Sequence, residues 1–334
     1  MNSKTAEKGR LGLDVGTSRI VAASRADGDY QFRSHLNAFV TMPLTQMAAR
    51  TLAKEGVLHA VEGNEIIIYG NEAERFADLF HLETRRPMSG GIINPDEPQA
   101  LALVRRLLEA LGAGGGENSY RICYSVPAAP LGRDAVVTYH ETALGDLLSD
   151  MGHQARPINE GLAVIYSELE DTNYTGIGIS FGGGLCNVCL AYLSAPLFSF
   201  SVAKAGDFID SSAAAVTNEL ATRVRIVKEK SFGFNGNLTD KVRQAIQIYY
   251  QDMIQEVIEE LHKAFSDVRN VPKLGRAVPL VLSGGSALAG GFRERFEAEL
   301  KKRPLPVSIA EVRLAADPLN ATARGALVAA LAEM

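Results

Sequence analysis

The 334-residue chain is 46% hydrophobic, 7% aromatic and 22% charged, ordinary proportions for a globular protein. Its length exceeds the roughly 100–200 residues of a typical domain, so two domains are expected. A formal net charge of -5 gives no general attraction to nucleic acid or anionic lipid, the three cysteines are too few for a disulfide framework, and no apolar run reaches the roughly 18–20 residues of a membrane span.

The first residues, MNSKTAEKGR, are polar and lack both an apolar leader segment and an apolar helical face. They read as a disordered tail over residues 1–9 of a cytoplasmic protein, with no membrane anchor. Arg10–Ala23 reads as strand, tight turn, strand, and Tyr30–Gly70 as short β segments ending in EIIIYG. Gln99–Leu111 has apolar residues at helical spacing and stops at Gly112. Gly114–Gly116 reads as a connector, ICYSVP as a buried strand ended by Pro127, and Leu131–Met151 as a helix.

The second half opens with a helix over Glu160–Glu168 and a strand pair, GIGISF and LCNVCLAYL, around three glycines. This strand–glycine turn–strand unit repeats the one at the N-terminus, a duplication visible at motif level only. Helices follow over Asp210–Lys230 and Asp240–Phe265. The second sets Val242, Ile246, Tyr249, Met253, Val257 and Leu261 on one face, the pattern of a core stripe. AVPLVLSGGS is a buried strand entering a glycine turn, Phe292–Lys302 a helix, PVSIAEV a last strand, and an alanine-rich helix closes the chain. The alternation of strands and helices predicts α/β layers.

Three glycine turns follow apolar strands: Gly16-Thr17-Ser18, preceded by Asp14; Gly182-Gly183-Gly184; and Gly284-Gly285-Ser286. A phosphate needs convergent backbone N–H groups at close range, and glycine lets the chain approach without a Cβ in the way. Thr17 and Ser18 add hydroxyl donors, and Asp14, at a strand end, suits a magnesium ion held through water. One such turn is weak evidence; three in this order point to a polyphosphate. Cys186 and Cys189 have a C-x-x-C spacing, but no second pair or nearby histidine cluster completes a zinc site. Their segment also reads as a strand.

The ordered set resembles the actin, bacterial actin and heat-shock chaperone ATPase superfamily over nearly the whole chain, and within it the MreB- and MamK-like bacterial actins. LGLDVGTSRIVAA resembles the first phosphate loop, RPMSGGIINPDEP the stretch before the next helix, and INEGLAVIY the first inter-domain helix. GISFGGGLCNV resembles the second phosphate loop, AKAGDFID the following Gly-Asp turn at Gly206, and VKEKSFGF the ribose and adenine segment. LSGGSALAGGF resembles the adenosine loop, and TARGALVAAL the second connecting helix.

The resemblance implies two similar α/β lobes around a central nucleotide cleft. Residues 10–158, with a small subdomain at about 30–80 and the helix 318–334, would form one domain, and 159–317 the other. It implies ATP and Mg as ligands, Asp14 beside the metal, and Gly16, Thr17, Ser18, Gly182, Gly183 and Gly184 on the phosphates. Lys228 and Glu229 would reach ribose and base, although a KEK run is also the usual face of a solvated helix. Gly284, Gly285 and Ser286 would lie against adenosine. Glu160 falls where bacterial actins orient the attacking water; a helix-opening glutamate is also favoured by the helix dipole alone.

One departure stands out. The family opens its second phosphate loop with an aspartate, in a pattern like D-x-G-x-G-T, whereas here Ser180 and Leu185 replace the carboxylate and the threonine. Losing such a group typically costs roughly 10²–10³ in rate, so binding is expected to survive better than hydrolysis. The leading expectation is a filament-forming slow ATPase that associates with itself; the alternative is an ATP-binding pseudo-ATPase or scaffold that does not polymerise. A chaperone reading lacks a peptide-binding domain after the last helix, and a sugar or acetate kinase reading lacks a substrate motif.

Overall fold

The computed structural model describes residues 9–114, 119–130, 135–236, 240–267 and 276–332. Nearly all of the expected tail, most of the glycine connector and the start of the helix expected from Leu131 lie outside these residues.

The strands β1 (Arg10–Val15), β2 (Arg19–Ala26) and β3 (Asp29–Leu36) run as an antiparallel meander. The chain then builds a small sheet from β4 (Phe39–Pro43), β5 (His59–Glu62) and β6 (Glu65–Tyr69), interrupted by α1 (Gln46–Lys54) and followed by α2 (Ala73–Phe80). A short hairpin, β7 (Met88–Ser89) and β8 (Ile92–Ile93), leads to α3 (Ala100–Ala110), β9 (Arg121–Val126), α4 (Ala135–Asp150) and β10 (Gln154–Asn159). The first large sheet has the order β10-β9-β1-β2-β3, its β1, β9 and β10 parallel.

The second half repeats this plan. After α5 (Glu160–Glu168) come the antiparallel strands β11 (Gly176–Phe181), β12 (Cys186–Tyr192) and β13 (Ala195–Val202). Then follow α6 (Gly206–Thr217), α7 (Ala221–Ser231), α8 (Lys241–Asp267), β14 (Val278–Ser283), α9 (Phe292–Lys302), β15 (Ile309–Leu314) and α10 (Ala321–Ala332). The sheet order is β13-β12-β11-β14-β15, with β11, β14 and β15 parallel. Strand for strand it matches the first sheet, so the duplication extends from motif to topology.

Each lobe has its own core. In the second, β11 is buried at every position and shares one hydrophobic cluster with the face of α8 that carries Ile246, Met253, Val257 and Leu261. Tyr250 is the buried tyrosine of that face; Tyr249 and Val242 lie at its margin. The lobes exchange helices at their base. α5 leaves the first sheet and packs on β11 and β12, while α10 leaves the second and packs on β1 and β9. The two helices meet backbone to backbone, for a Cβ on Gly325 would lie 1.7 Å from the Ala163 carbonyl oxygen.

Two expectations need correction. The helix expected over Asp210–Lys230 is two helices, because Asn218 adopts the left-handed conformation (φ 55°) that ends α6. The stretch Tyr30–Gly70 is not wholly β: α1 forms within it, capped by Thr45, whose hydroxyl accepts the Ala48 N–H at 3.1 Å.

Candidate functional site

In both lobes the first hairpin closes the same way. The Gly16 amide donates to the Arg19 carbonyl at 3.0 Å, and the Gly182 amide donates to that of Leu185 at 3.1 Å. Asn37, fully buried, fastens the first turn from behind. Its backbone N–H donates to the Ser18 carbonyl at 3.0 Å and its side-chain amide to that of Gly16 at 2.9 Å. The second turn is held by its neighbours: the Gly182 carbonyl accepts from the Gly206 amide (3.1 Å) and Ser286 Oγ (3.3 Å), and the Gly183 carbonyl from the Asp207 amide (2.8 Å). Parallel pairing of β11 with β14 sets the Gly284–Ser286 turn beside it, at the carboxyl ends of adjacent strands where such sheets bind ligands.

The second turn meets the hydroxyl side chains of the first across the cleft, and the backbone of the Gly90–Gly91 turn beside them. A Cβ on Gly183 would lie 2.2 Å from Ser18 Oγ, and one on Gly184 would lie 2.3 Å from the Gly91 amide nitrogen. All three turns line one cavity of about 350 Å³. Every site residue singled out in the sequence lines it too: Asp14, Gly16, Thr17, Ser18, Glu160, Ser180, Gly182, Gly183, Gly184, Gly206, Lys228, Glu229, Gly284, Gly285 and Ser286.

Two carboxylates define the chemistry at the base of the cavity. Asp14, at the end of β1, accepts a hydrogen bond from Ser125 Oγ at 2.8 Å. Burial raises its pKa, against the lowering effect of that bond. Glu160 opens α5 behind the capping residue Asn159. Burial raises Glu160 and the charge of Asp14 raises it further, while Ser180 and Asn187 act as donors that oppose the shift. A pair of carboxylates pushed toward protonation is a site short of positive charge, which suits a divalent cation. Asp14 is the carboxylate that would hold a magnesium ion there, through water, and the ion would supply the positive charge the pair lacks.

Two of the expected ligand contacts are engaged within the protein. The buried Lys228 ammonium pairs with Asp210 at 2.8 Å and donates to the Gly206 carbonyl at 2.9 Å, tying α7 to α6. Burial pushes Asp210 up to about 6 in spite of that partner. The buried Thr17 hydroxyl accepts from the Gly91 amide at 3.1 Å. Ser18 and the exposed Glu229 keep more of their surface on the cleft.

Sequence reasoning missed several residues of the lining. Phe232 and Tyr250 stack at 5.3 Å between ring centroids and give one end of the cavity an aromatic wall. Two ion pairs span the cleft: Arg86 with Asp207 at 2.9 Å, and Arg225 of α7 with Glu74 of α2. A faint signal existed for each. Arg86 immediately precedes the PMSGG stretch, and Arg225 lies one helical turn before Glu229.

Two duplicated lobes joined by exchanged helices around such a cavity define an actin-like ATPase fold, and solved structures agree. The MamK double helical filament matches with a TM-score of 0.72 at 20% identity, covering 97% of this chain and 98% of the other. MreB5 of Spiroplasma citri bound to ADP matches with a TM-score of 0.67 at 15% identity, covering 96% and 95%. The ethanolamine utilization protein EutJ from Carboxydothermus hydrogenoformans gives 0.54 at 16% identity, covering 96% and 89%. A comparison with curated proteins returns no match. The chain belongs to the Volactin family, whose model matches residues 10–330.

Proposed function

We propose that this protein binds ATP with magnesium in the inter-lobe cleft, hydrolyses it slowly and assembles into filaments. The carrying observation is the convergence of three backbone-lined turns, from far apart in the chain, on one cavity beside two carboxylates that form no ion pair among the described residues. In this reading the turns hold the phosphates, Asp14 supports the magnesium shell and Glu160 orients the attacking water. Ser180 supplies a hydrogen bond in place of an acid. Magnesium would neutralise charge between the terminal phosphates. Residues 10–158 with the closing helix α10 would move as one body and 159–317 as the other, in the cytoplasm. Among the described residues no helix is long and apolar enough to cross a membrane.

Filament assembly draws support from the MamK neighbour, itself solved as a double helical filament, and nucleotide binding from the neighbour bound to ADP. Negative-stain electron microscopy and sedimentation with and without Mg·ATP test the proposal together. Filaments that appear with ATP are expected; a protein that binds ATP yet stays monomeric across concentrations would leave the second reading. That reading, an ATP-binding scaffold that does not polymerise, is favoured by one observation: Ser180 is buried in the cavity wall where the resemblance leads one to expect an acid.

A further inference from the structure

We propose that Arg86, paired across the cleft with Asp207, reads the terminal phosphate of the bound nucleotide and so separates triphosphate from diphosphate. The inference rests on the nucleotide reading above and adds a residue and a selectivity to it.

Arg86 lies just before β7, in the lobe of the first sheet. Asp207 is the second residue of α6, in the other lobe, and the two meet at 2.9 Å across 121 positions of sequence. Asp207 is fixed to the glycine turn, its own amide donating to the Gly183 carbonyl at 2.8 Å. The partner of the guanidinium is thereby tied to the turn that meets the Ser18 side chain, and Arg86 lines the same cavity as that turn. Only Nη1 of Arg86 is engaged; among the described residues its remaining donors have no partner. Arginine presents five N–H donors in a planar fork, so one edge can hold a carboxylate while another meets a phosphate.

The other cations of the lining have partners away from the Gly182–Gly184 turn. Lys228 is bound to Asp210, Arg225 to Glu74 on the helix face that carries Glu229, and Arg19 donates to Ser34 Oγ at 3.1 Å. Among these cations Arg86 is the one whose carboxylate partner is itself hydrogen-bonded to the Gly182–Gly184 turn, and the pair joins one lobe to the other. A terminal phosphate that takes its free donors binds the closed state better than the open one, and such differential contact is what shifts a conformational equilibrium. A diphosphate lacks the group that would make it.

The test is the affinity of the full chain for ADP and for the non-hydrolysable triphosphate AMPPNP, by displacement of a fluorescent nucleotide in the presence of magnesium. Arg86→Gln is expected to weaken AMPPNP about tenfold or more, as loss of a charged hydrogen bond does, and ADP less than about twofold. Arg86→Lys, which keeps the charge and the Asp207 pair but loses the fork, is expected to lose AMPPNP affinity by an intermediate factor. Arg225→Gln, a cross-cleft pair on the other helix face, is expected to weaken both nucleotides alike. Equal loss of both nucleotides in Arg86→Gln, or unchanged affinities in Arg86→Lys, would overturn the assignment. A wild-type chain that binds neither nucleotide fails the nucleotide reading itself, and this inference with it.

Discussion

The hydroxyl of Ser125, near the end of β9, joins that strand to the acid at the end of β1: it donates to Asp14 Oδ1 at 2.8 Å and accepts the Val15 amide at 3.2 Å. The bond stabilises the ionised form of a carboxyl that burial drives the other way. Ser125→Ala therefore raises the Asp14 pKa further and leaves the Val15 amide without its partner, at a cost of about 1–3 kcal/mol in stability. The informative readout is the magnesium concentration that half-saturates nucleotide binding. Measured at pH 6, near the value of about 6 to which Asp14 is raised, it is expected to rise by roughly fivefold for a further shift of about one unit, and by less at neutral pH. An unchanged magnesium midpoint would remove Asp14 from the metal's environment.

Ser180→Asp places a third carboxylate beside Asp14 and Glu160. Without metal the variant is expected to melt several degrees lower than wild type, because like charges share a desolvated wall. With Mg·ATP the order reverses, and phosphate release rises by roughly 10²-fold if the acid is the missing element. Thermal melts with and without Mg·ATP, together with a phosphate-release assay, separate the two effects. Unchanged turnover in a variant that gains metal stabilisation would show that the acid is not what limits hydrolysis.

Gly325→Ala should destabilise the protein although alanine is the better helix former by about 1 kcal/mol. The added methyl would meet the Ala163 carbonyl of the facing helix, a backbone group with no rotamer to yield. Overpacking of this kind typically costs about 1–3 kcal/mol and occasionally more. A denaturation midpoint equal to wild type would mean that α5 and α10 separate at little cost.

His140 predicts a dependence of stability on pH. It is fully buried on α4, and its Nδ1 accepts the Ile93 amide at 3.2 Å. Burial pushes its pKa down to about 4. The unfolded chain binds a proton near pH 6.5 and the folded chain does not, so stability is intact above about 6.5 and falls as pH drops toward 4. The loss is limited to about 3 kcal/mol. Asp210, raised to about 6, acts in the opposite sense between about 4 and 6, so the comparison is one of slopes. His140→Asn keeps an acceptor for Ile93 and removes the titration. Its denaturation free energy should fall less steeply than that of wild type between pH 6.5 and 4.5, and parallel slopes would count against the assignment.

The glycine turns were legible in sequence because they answer to local chemistry: an apolar strand, a residue without a Cβ, a short polar side chain. The same holds for α8, whose core face follows from periodicity alone. Asn218 shows where local reading stopped. It breaks a helix without proline or glycine, by a left-handed conformation that asparagine tolerates. Thr45 was a readable cap for α1, obscured by the β-like segments around it. Lys228 could not be read at all. A KEK run looks solvated until α6 brings Asp210 against it, and that partner is 18 residues away. The cross-cleft pairs are more distant still, at 121 and 151 residues, and exist only because two lobes fold against each other.

All three cysteines lie in the interior: Cys123 on β9, Cys186 and Cys189 on β12. Burial raises the Cys186 thiol well above its ordinary range and the Cys189 thiol to about 12, so both stay protonated and slow to react with alkylating reagents. A cysteine introduced on the surface would thus be the favoured target of a maleimide dye. The lobe movement and subunit addition proposed above could then be followed by fluorescence on the native background, with no prior removal of thiols.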